Sequence, residues 1–247
     1  MRVISMVPAW TETLLDAGVD VVGRTKFCVH PETRVESIPK VGGTKQIDWS
    51  RVKALDADLL VLDQQENPRS MADRSPIPTF ATNVCSVATM PHELGKLAER
   101  LGSPPALLAI VERWLQVAKQ PVRERRPLEQ LPGVIKWLRP PTTETRQLVY
   151  VIWRDPWMAV SPTTFIGSML AQLGFGWARF QLDTPYPVID LEQLDRRRTL
   201  LLFSSEPFPF ERYADQLTEL GFSAALVDGA AYSWFGSRAL RFLEENR

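Results

Sequence analysis

A cysteine and a histidine two residues apart are the first candidates for chemistry in this sequence. Cys28 and His30 lie in residues 27–31, a stretch that a following proline biases towards an extended loop. A thiolate and an imidazole can bind zinc, iron or cobalt, and Glu66 or Glu206 would have to complete such a site. The alternative is a small buried cysteine beside a hydrogen-bonded histidine.

Two further kinds of chemistry stay open at this pair. A histidine could be the axial ligand of a corrinoid or haem iron, and His30 is placed for it, whereas His92 begins a predicted helix in solvent. A Cys28–His30 dyad could instead serve nucleophilic catalysis, but no G-x-S-x-G or H-E-x-x-H motif accompanies it. Cys28 and Cys85 form no C-x-x-C motif and indicate no disulfide framework.

Polar side chains follow a strand that the sequence predicts to be buried on both faces. Glu66, Asn67 and Arg69 come directly after residues 58–62, and polar groups converge on ligands at this kind of position in α/β sheets. A capping loop with Arg69 in a surface ion pair is the alternative. Lys26 and Lys45, with the glycine pair at 42–43, could bind an anionic group through side chains and backbone N–H groups.

Aromatic residues follow a second predicted strand, at residues 148–153. Trp153, Arg154 and Trp157 would suit stacking on a flat conjugated ligand and pairing with its carboxylate or phosphate, or they could pack the rim of the fold. Glu206, Ser233 and Trp234 follow the next two strands. The predicted ligand-binding residues are Trp10, Lys26, Phe27, Cys28, His30, Lys45, Glu66, Asn67, Arg69, Trp153, Arg154, Trp157, Tyr186, Glu206, Ser233 and Trp234.

The composition narrows the class of protein. The 247 residues carry 29 basic and 29 acidic side chains, so no overall field favours nucleic acid, and 45% of the residues are hydrophobic, as in ordinary globular proteins. No apolar run approaches the roughly 18 residues of a membrane span, and no export signal precedes the first strand. We therefore expect a monomeric cytoplasmic protein with no nucleic-acid or membrane partner, or a periplasmic one if an export signal was trimmed.

The elements that must position these residues alternate between strand and helix. This pattern predicts α/β structure with mainly parallel sheets, in an N-terminal lobe at residues 1–90 and a C-terminal lobe at residues 148–247. Residues 91–147 would hold a helix, a long backbone helix at 103–120 and a proline-rich connector with a short helix at 134–138. The carboxyl ends of the strands would meet at a ligand cleft between the lobes.

The backbone helix has local start and stop signals. Ser103 is a good N-cap, Pro104 suits the first helical position, and Pro121 ends the helix. Helical spacing predicts one buried apolar stripe, made of Leu107, Leu108, Val111, Leu115 and Ala118.

The chain resembles the helical-backbone metal receptors, the class III periplasmic binding proteins that hold cobalamin or ferric siderophores for ABC importers. The first lobe carries VISMVPAWTETLLDAGV, VVGRTKFCVHP, IPKVGGTK and LDADLLVLDQQENPR, and the second carries YVIWRDPWM, TFIGSML, PYPVIDLEQL, LLFSSEPFPF and LVDGAAYSWFGSR. The resemblance covers nearly the whole chain except residues 121–147. It implies two α/β lobes bridged by one long helix, in a branch without an export signal.

The resemblance also extends to single positions. Glu192 matches the second-lobe acid that docks on the permease, whereas Arg69 stands where the first-lobe acid would be. Tyr186 matches the second-lobe aromatic residue that stacks on cobalamin, whereas Asp63 stands where the first-lobe tryptophan would be.

These observations predict a binding protein rather than an enzyme. Its ligand would be a metal chelate or corrinoid-like small molecule, such as cobalamin or an iron chelate. One alternative is the substrate-binding component of an ABC importer for cobalamin or iron–siderophore uptake. A second alternative is a metal-dependent enzyme that uses Cys28, His30 and Glu66.

Overall fold

The structure of the protein is a computed structural model that describes residues 1–122, 125–178 and 184–246. The chain forms two compact units, each described by itself. Unit 1 contains Met1–Gln120 and Trp234–Arg241, and unit 2 contains Pro121–Ser233 and Phe242–Arg247. The sequence assigned all of residues 148–247 to the second lobe, whereas residues 234–241 belong to unit 1.

Unit 1 is built on a six-stranded sheet in the order β4-β3-β2-β1-β5-β6, parallel except for β4. Its strands are β1 (Arg2–Ser5), β2 (Asp20–Thr25), β3 (Lys40–Gly43), β4 (Gln46–Ile47), β5 (Leu59–Asp63) and β6 (Thr79–Thr82). Its helices are α1 (Pro8–Asp16), α2 (Glu32–Val35), α3 (Trp49–Ala54), α4 (Arg69–Asp73), α5 (Met90–Arg100) and α6 (Pro105–Lys119). The predicted parallel α/β class is confirmed for this unit.

Local signals account for several of these elements. All five residues of β5 are buried, as the continuous apolar run predicts for a central parallel strand. Asp48 caps α3, because its Oδ1 accepts hydrogen bonds from the backbone N–H groups of Ser50 (3.0 Å) and Arg51 (3.3 Å).

Proline and glycine residues shape two elements of unit 1. Helix α1 begins at Pro8, where a proline N–H is not needed. The glycine pair at 42–43 lies in the β3–β4 hairpin. Gly42 has φ +149°, and a Cβ there would meet the backbone carbonyl of Gln46, so only glycine fits.

The long helix exists, but its cap and its buried face differ from the prediction. α6 begins at Pro105, Ser103 lies in the left-handed region (φ 56°), and its side chain caps nothing. The buried residues are Leu107, Ile110, Trp114 and Val117, whereas the predicted stripe member Leu108 is exposed. The stripe was wrong because the apolar residues cover more than one face of this helix, and tertiary packing selects one of them.

Unit 2 is built on a five-stranded sheet in the order β7-β11-β10-β8-β9. Its strands are β7 (Val134–Arg139), β8 (Gln147–Trp153), β9 (Met158–Ala159), β10 (Thr199–Ser204) and β11 (Ser223–Val227). Its helices are α7 (Phe165–Gln172), α8 (Ala214–Glu219) and α9 (Gly229–Ser233), with 3-10 turns at Leu128–Gln130, Gly176–Ala178, Leu191–Gln193 and Phe210–Tyr213. Strands β8, β10 and β11 are parallel, and β7 and β9 are antiparallel edge strands.

The predicted connector helix at residues 134–138 is wrong. This stretch is strand β7, which pairs with β11 so that Val134 faces Val227 and Trp137 faces Ala225. A run of five residues is too short to separate a helical from a strand period, and its partner strand lies far along the chain.

The last helix, α10 (Ser237–Asn246), begins in unit 1 on the surface of α1. The side chain of Glu12 is 4% exposed and accepts hydrogen bonds from Arg238 Nε (2.7 Å) and Arg241 Nη2 (2.8 Å). Just before α10, Gly236 (φ +91°) packs so closely on α1 that a Cβ would overlap Thr13 Oγ1. No helix in the described residues is long and apolar enough to cross a membrane.

This close approach predicts a large cost for a single methyl group. Gly236→Ala should lower the free energy of unfolding by about 2 kcal/mol or more, because it combines a left-handed backbone with a steric overlap. Gly95→Ala, within α5 and with open space around it, should instead raise that free energy by roughly 0.5–1 kcal/mol. Urea denaturation of both variants measures the two effects, and equal behaviour of the two would contradict this packing.

Candidate functional site

The loops that follow β1, β3 and β5 meet at the carboxyl edge of the unit 1 sheet, and Asn67 joins them. Its amide nitrogen donates to the carbonyls of Met6 (3.2 Å) and Thr44 (2.8 Å), and its Oδ1 accepts from the N–H of Asp63 (2.9 Å). The sequence analysis had predicted that Asn67 binds a ligand. Its side chain is buried instead, and it anchors the three loops.

A basic hollow opens beside these loops. It has a volume of about 650 Å³ and is lined by four cations, Lys26, Lys40, Lys45 and Arg51, and by the β3–β4 hairpin. Asp48 is the carboxylate among its lining residues, and it is already used as the cap of α3 and as the partner of Arg51 (3.3 Å). The hollow therefore carries an excess of positive charge.

An aromatic ring stands next to these cations. The Phe27 side chain is 49% exposed, and Lys26 Nζ lies 5.0 Å from the centre of its ring. Lys45 Nζ donates to the backbone carbonyl of Glu66 (2.5 Å), which holds the lysine at the edge of the sheet. The structure thus brings together the predicted residues Lys26, Phe27 and Lys45.

Cys28 is a core residue rather than a metal ligand. Its thiol is fully buried, with Sγ 3.0 Å from Thr11 Oγ1 and 3.1 Å from Thr25 Oγ1, and burial raises its pKa. The described residues contain no group of three or more His, Cys, Asp or Glu side chains that could hold a metal ion. The alternative of a small buried cysteine therefore describes this position.

His30 is held from one side by the end of the chain. Its ring packs edge-on against Trp234, with 5.5 Å between centroids, and Arg238 lies over the same indole at 5.3 Å. Arg238 is in turn bound to Glu12. This arrangement positions a partly exposed imidazole, and sequence spacing could not reveal it because Trp234 and His30 are distant in the chain.

Trp10 is also a core residue and does not line a ligand site. It is fully buried, packs edge-on against Phe235 at 4.9 Å, and donates from Nε1 to Thr82 Oγ1 (2.8 Å). The predicted ligand-binding role of Trp10 does not agree with this burial, because Trp10 lies in α1, where every residue from Pro8 to Leu15 is buried.

Asp63 is a buried carboxylate at the end of β5. Its Oδ2 accepts from Thr82 Oγ1 (2.6 Å) and the N–H of Val84 (3.1 Å), and its Oδ1 accepts from the N–H of Gln65 (2.9 Å). Burial, helped by the negative charge of Glu93, raises the pKa of Asp63 despite these hydrogen bonds. Nearby, the Arg69 side chain is 92% exposed and lies 3.8 Å from Asp73.

In unit 2, the cluster after β8 divides into exposed and packed members. Trp153 is 41% exposed and touches Phe208 edge-on at 5.4 Å. Trp157 stacks parallel to Phe210 at 6.2 Å, against the core of the unit. Trp153 is therefore available to a ligand, whereas Trp157 is structural.

Arg154 is held by its neighbours in unit 2. Its guanidinium lies 5.5 Å from the ring of Trp157 and 5.1 Å from that of Tyr213, and its Nη1 donates to Gln216 Oε1 (2.9 Å). These contacts fix the direction of the cation beside Trp153.

The remaining predicted residues of unit 2 lie in α9, in a 3-10 turn and in loops. Ser233 donates from Oγ to Glu206 Oε1 (3.0 Å), which links the ends of α9 and β10. Tyr186 is 42% exposed, and Glu192 is an exposed residue of a 3-10 turn. The ligand-binding role of these residues stays a prediction, as does the docking role of Glu192.

Sequence reasoning missed Lys40 and Arg51, which complete the basic hollow. Neither follows a predicted parallel strand, which was the criterion applied. The available signal was a cluster of cations around the glycine pair, but it required recognition of the β3–β4 hairpin.

The raised pKa of Asp63 predicts a pH-dependent stability. At pH values just above 3.8, the ordinary pKa of an aspartate, the Asp63 carboxyl is still protonated in the folded protein but already ionised in the unfolded chain. The free energy of unfolding therefore falls as the pH rises from about 3.8 to the raised folded pKa, and the contribution is constant above it. Asp63→Asn should remove this fall, as measured by urea denaturation over a pH series. The control variant Asp73→Asn, at an exposed position, should keep this fall of the free energy of unfolding with pH. If Asp63→Asn shows the same fall as the unmodified protein, the effect belongs to another group.

No family model and no curated protein matches this chain, but solved structures do. The periplasmic vitamin B12-binding protein BtuF of Vibrio cholerae has a TM-score of 0.69 at 15% identity, with 99% of this chain and 94% of that one covered. The periplasmic heme-binding protein HutB of Vibrio cholerae has a TM-score of 0.70 at 14% identity, with 99% and 96% covered. Heme-bound IsdE of S. aureus has a TM-score of 0.71 at 11% identity, with 99% and 96% covered. The chain therefore has the fold of these binding proteins, as the resemblance in its sequence implied.

Proposed function

We propose that this protein binds a metal chelate or corrinoid-like small molecule, and that the preferred ligand is a chelate with anionic side groups. The basic hollow carries the proposal. Lys26, Lys40, Lys45 and Arg51 line it, and the one carboxylate among its lining residues is already hydrogen-bonded. An anionic ligand gains from every one of these cations.

Exposed aromatic side chains support a flat ligand. Phe27 stands at the basic hollow in unit 1, and in unit 2 Trp153, at the end of β8, and Tyr186 are exposed. Exposed aromatic rings can bind a flat conjugated macrocycle by stacking on it.

Proteins of the same fold support the ligand class. BtuF binds vitamin B12, and HutB and IsdE bind heme. Asp63, which replaces the tryptophan expected of a cobalamin receptor, is buried and offers no stacking surface. Heme and carboxylate-rich ferric chelates are therefore favoured over the amide-covered corrin of cobalamin.

Binding is favoured over catalysis. The thiol of Cys28 is buried with a raised pKa, which suppresses the nucleophilic thiolate that an enzyme with Cys28, His30 and Glu66 would need. The second candidate is the substrate-binding component of an ABC importer, because Glu192, at the second-lobe docking position, is exposed. Arg69 has the opposite charge to the acid expected at the first-lobe docking position, which weakens this candidate. Cell fractionation tests the predicted cytoplasmic location against the periplasmic one.

Tryptophan fluorescence measures this binding directly. We expect hemin and ferric citrate to quench the emission with lower dissociation constants than cobalamin, by about tenfold or more, or about 1.4 kcal/mol. Lys26→Glu should raise the dissociation constant of the anionic chelates about tenfold, because it places a like charge at the basic hollow.

Lys53→Glu is the matched control, because Lys53 is exposed on α3 and does not line the hollow. It should bind the chelates as the unmodified protein does. No quenching by any of the three ligands would reject the ligand class, and equal losses in the two lysine variants would reject the hollow as the site.

A further inference from the structure

Two neighbouring hollows lie at the amino edge of the unit 2 sheet, the edge opposite the loops that follow β8 and β10. One has a volume of about 300 Å³ and the other about 310 Å³, and Thr142 and Thr143 line both. We propose that this edge binds a polyphosphate chain, meaning two or more linked phosphate groups, alone or as part of a nucleotide. The site is independent of the proposed chelate binding.

Arginine side chains dominate both hollows. Arg125 and Arg146 line the first hollow, and Arg139, Arg196 and Arg197 line the second. They come from four separate stretches: the start of unit 2, the end of β7, the start of β8 and the turn before β10. The fold therefore gathers at one edge cations that are spread along the sequence.

These arginines keep their charge available. Within residues 125–178 and 184–246, no carboxylate forms an ion pair with any of the five. Glu129 and Glu144 are the two acids among the lining residues, so the lining carries three more positive than negative charges. All five arginines are exposed.

Backbone carbonyls orient two of the guanidinium groups. Arg146 donates from Nη1 to the carbonyls of Thr143 (2.6 Å) and Thr145 (2.9 Å), and Arg196 donates from Nε to that of Leu220 (3.1 Å). A guanidinium has five N–H donors, so both retain donors for a ligand. Bonds of this kind reduce the ordering cost of binding without cancelling the charge.

The chemistry of the lining selects phosphate. The two hollows contain arginine and no lysine, and the planar guanidinium forms paired hydrogen bonds with phosphate oxygens. Thr142 and Thr143 line both hollows, so a ligand that extends from one to the other would pass these two residues. A ligand with linked anionic groups can use both hollows, whereas a single sulfate or phosphate can use only one.

An aromatic residue in the first hollow, Trp177, could add a contact with the base of a nucleotide. Trp177 lines the first hollow, its Nε1 donates to the carbonyl of Arg126 (3.2 Å), and the guanidinium of Arg125 lies 3.7 Å from its ring centre. An indole fixed in this way can stack on a base.

Isothermal titration calorimetry of the full chain with tripolyphosphate and with ATP tests the proposal. We expect saturable binding of tripolyphosphate that is at least about tenfold tighter than that of sulfate. The double variant Arg196→Ala/Arg197→Ala should weaken it about tenfold or more, and Arg196→Lys/Arg197→Lys should weaken it less, because charge remains but the paired hydrogen bonds are lost. If ATP binds more tightly than tripolyphosphate and Trp177→Leu removes that difference, the preferred ligand is a nucleotide. If the two ligands bind equally well, the site recognises the phosphate chain alone.

Arg74→Ala/Arg100→Ala is the matched control, since both arginines are exposed on unit 1. It should bind tripolyphosphate as the unmodified protein does. Circular dichroism verifies that each variant is folded. Binding of tripolyphosphate no tighter than that of sulfate, an equal loss in the control, or full affinity in the lysine variant would overturn the proposal. Binding to DNA or to phosphatidylserine vesicles in the absence of tripolyphosphate binding would also overturn it, in favour of a macromolecular surface.

Discussion

A carboxylate with almost no contact with water ties the end of this chain to its beginning. Glu12, on the first helix, accepts hydrogen bonds from Arg238 and Arg241 on the last helix, more than 220 residues later. A buried charge of this kind is tolerated only while its partners remain, so the last helix must stay on α1 for unit 1 to be stable. The same link brings Trp234 to His30.

The carboxyl edge of unit 1 shows how local geometry creates an electrostatic site. Asn67 joins three loops, Lys45 is bound to the carbonyl of Glu66 and Arg51 to that of Lys40, so the backbone of the hollow and two of its four cations are held in place. Like charges held close together repel one another, and an anion placed among them would relieve that repulsion. The loops that shape the hollow are therefore also the source of its preference for negative ligands.

The sequence predicted the parts of the molecule that depend on nearby residues. The buried strand β5, the Asp48 cap and the alternation of strands and helices were all available from local patterns. Trp10 and Cys28 were misassigned to a ligand site, because their burial depends on partners such as Phe235 that lie far along the chain. Strand β7 was missed for the same reason, since it pairs with a strand about 90 residues later, whereas the basic hollow was predicted in part, through Lys26 and Lys45, and only Lys40 and Arg51 were missed.

The sheets end in strands that offer little to an additional chain. The edge strands β4 and β9 have two residues each, and β6, the other edge of the unit 1 sheet, has four, so a foreign strand would find few free N–H and C=O groups along them. The six-residue edge strand β7 is longer, and its exposed Ile135 is followed by two charged residues of the same strand, Lys136 and Arg139. Should copies of this protein aggregate through their backbones while folded, β7 is where that growth would start, and Lys136 is the side chain that opposes it.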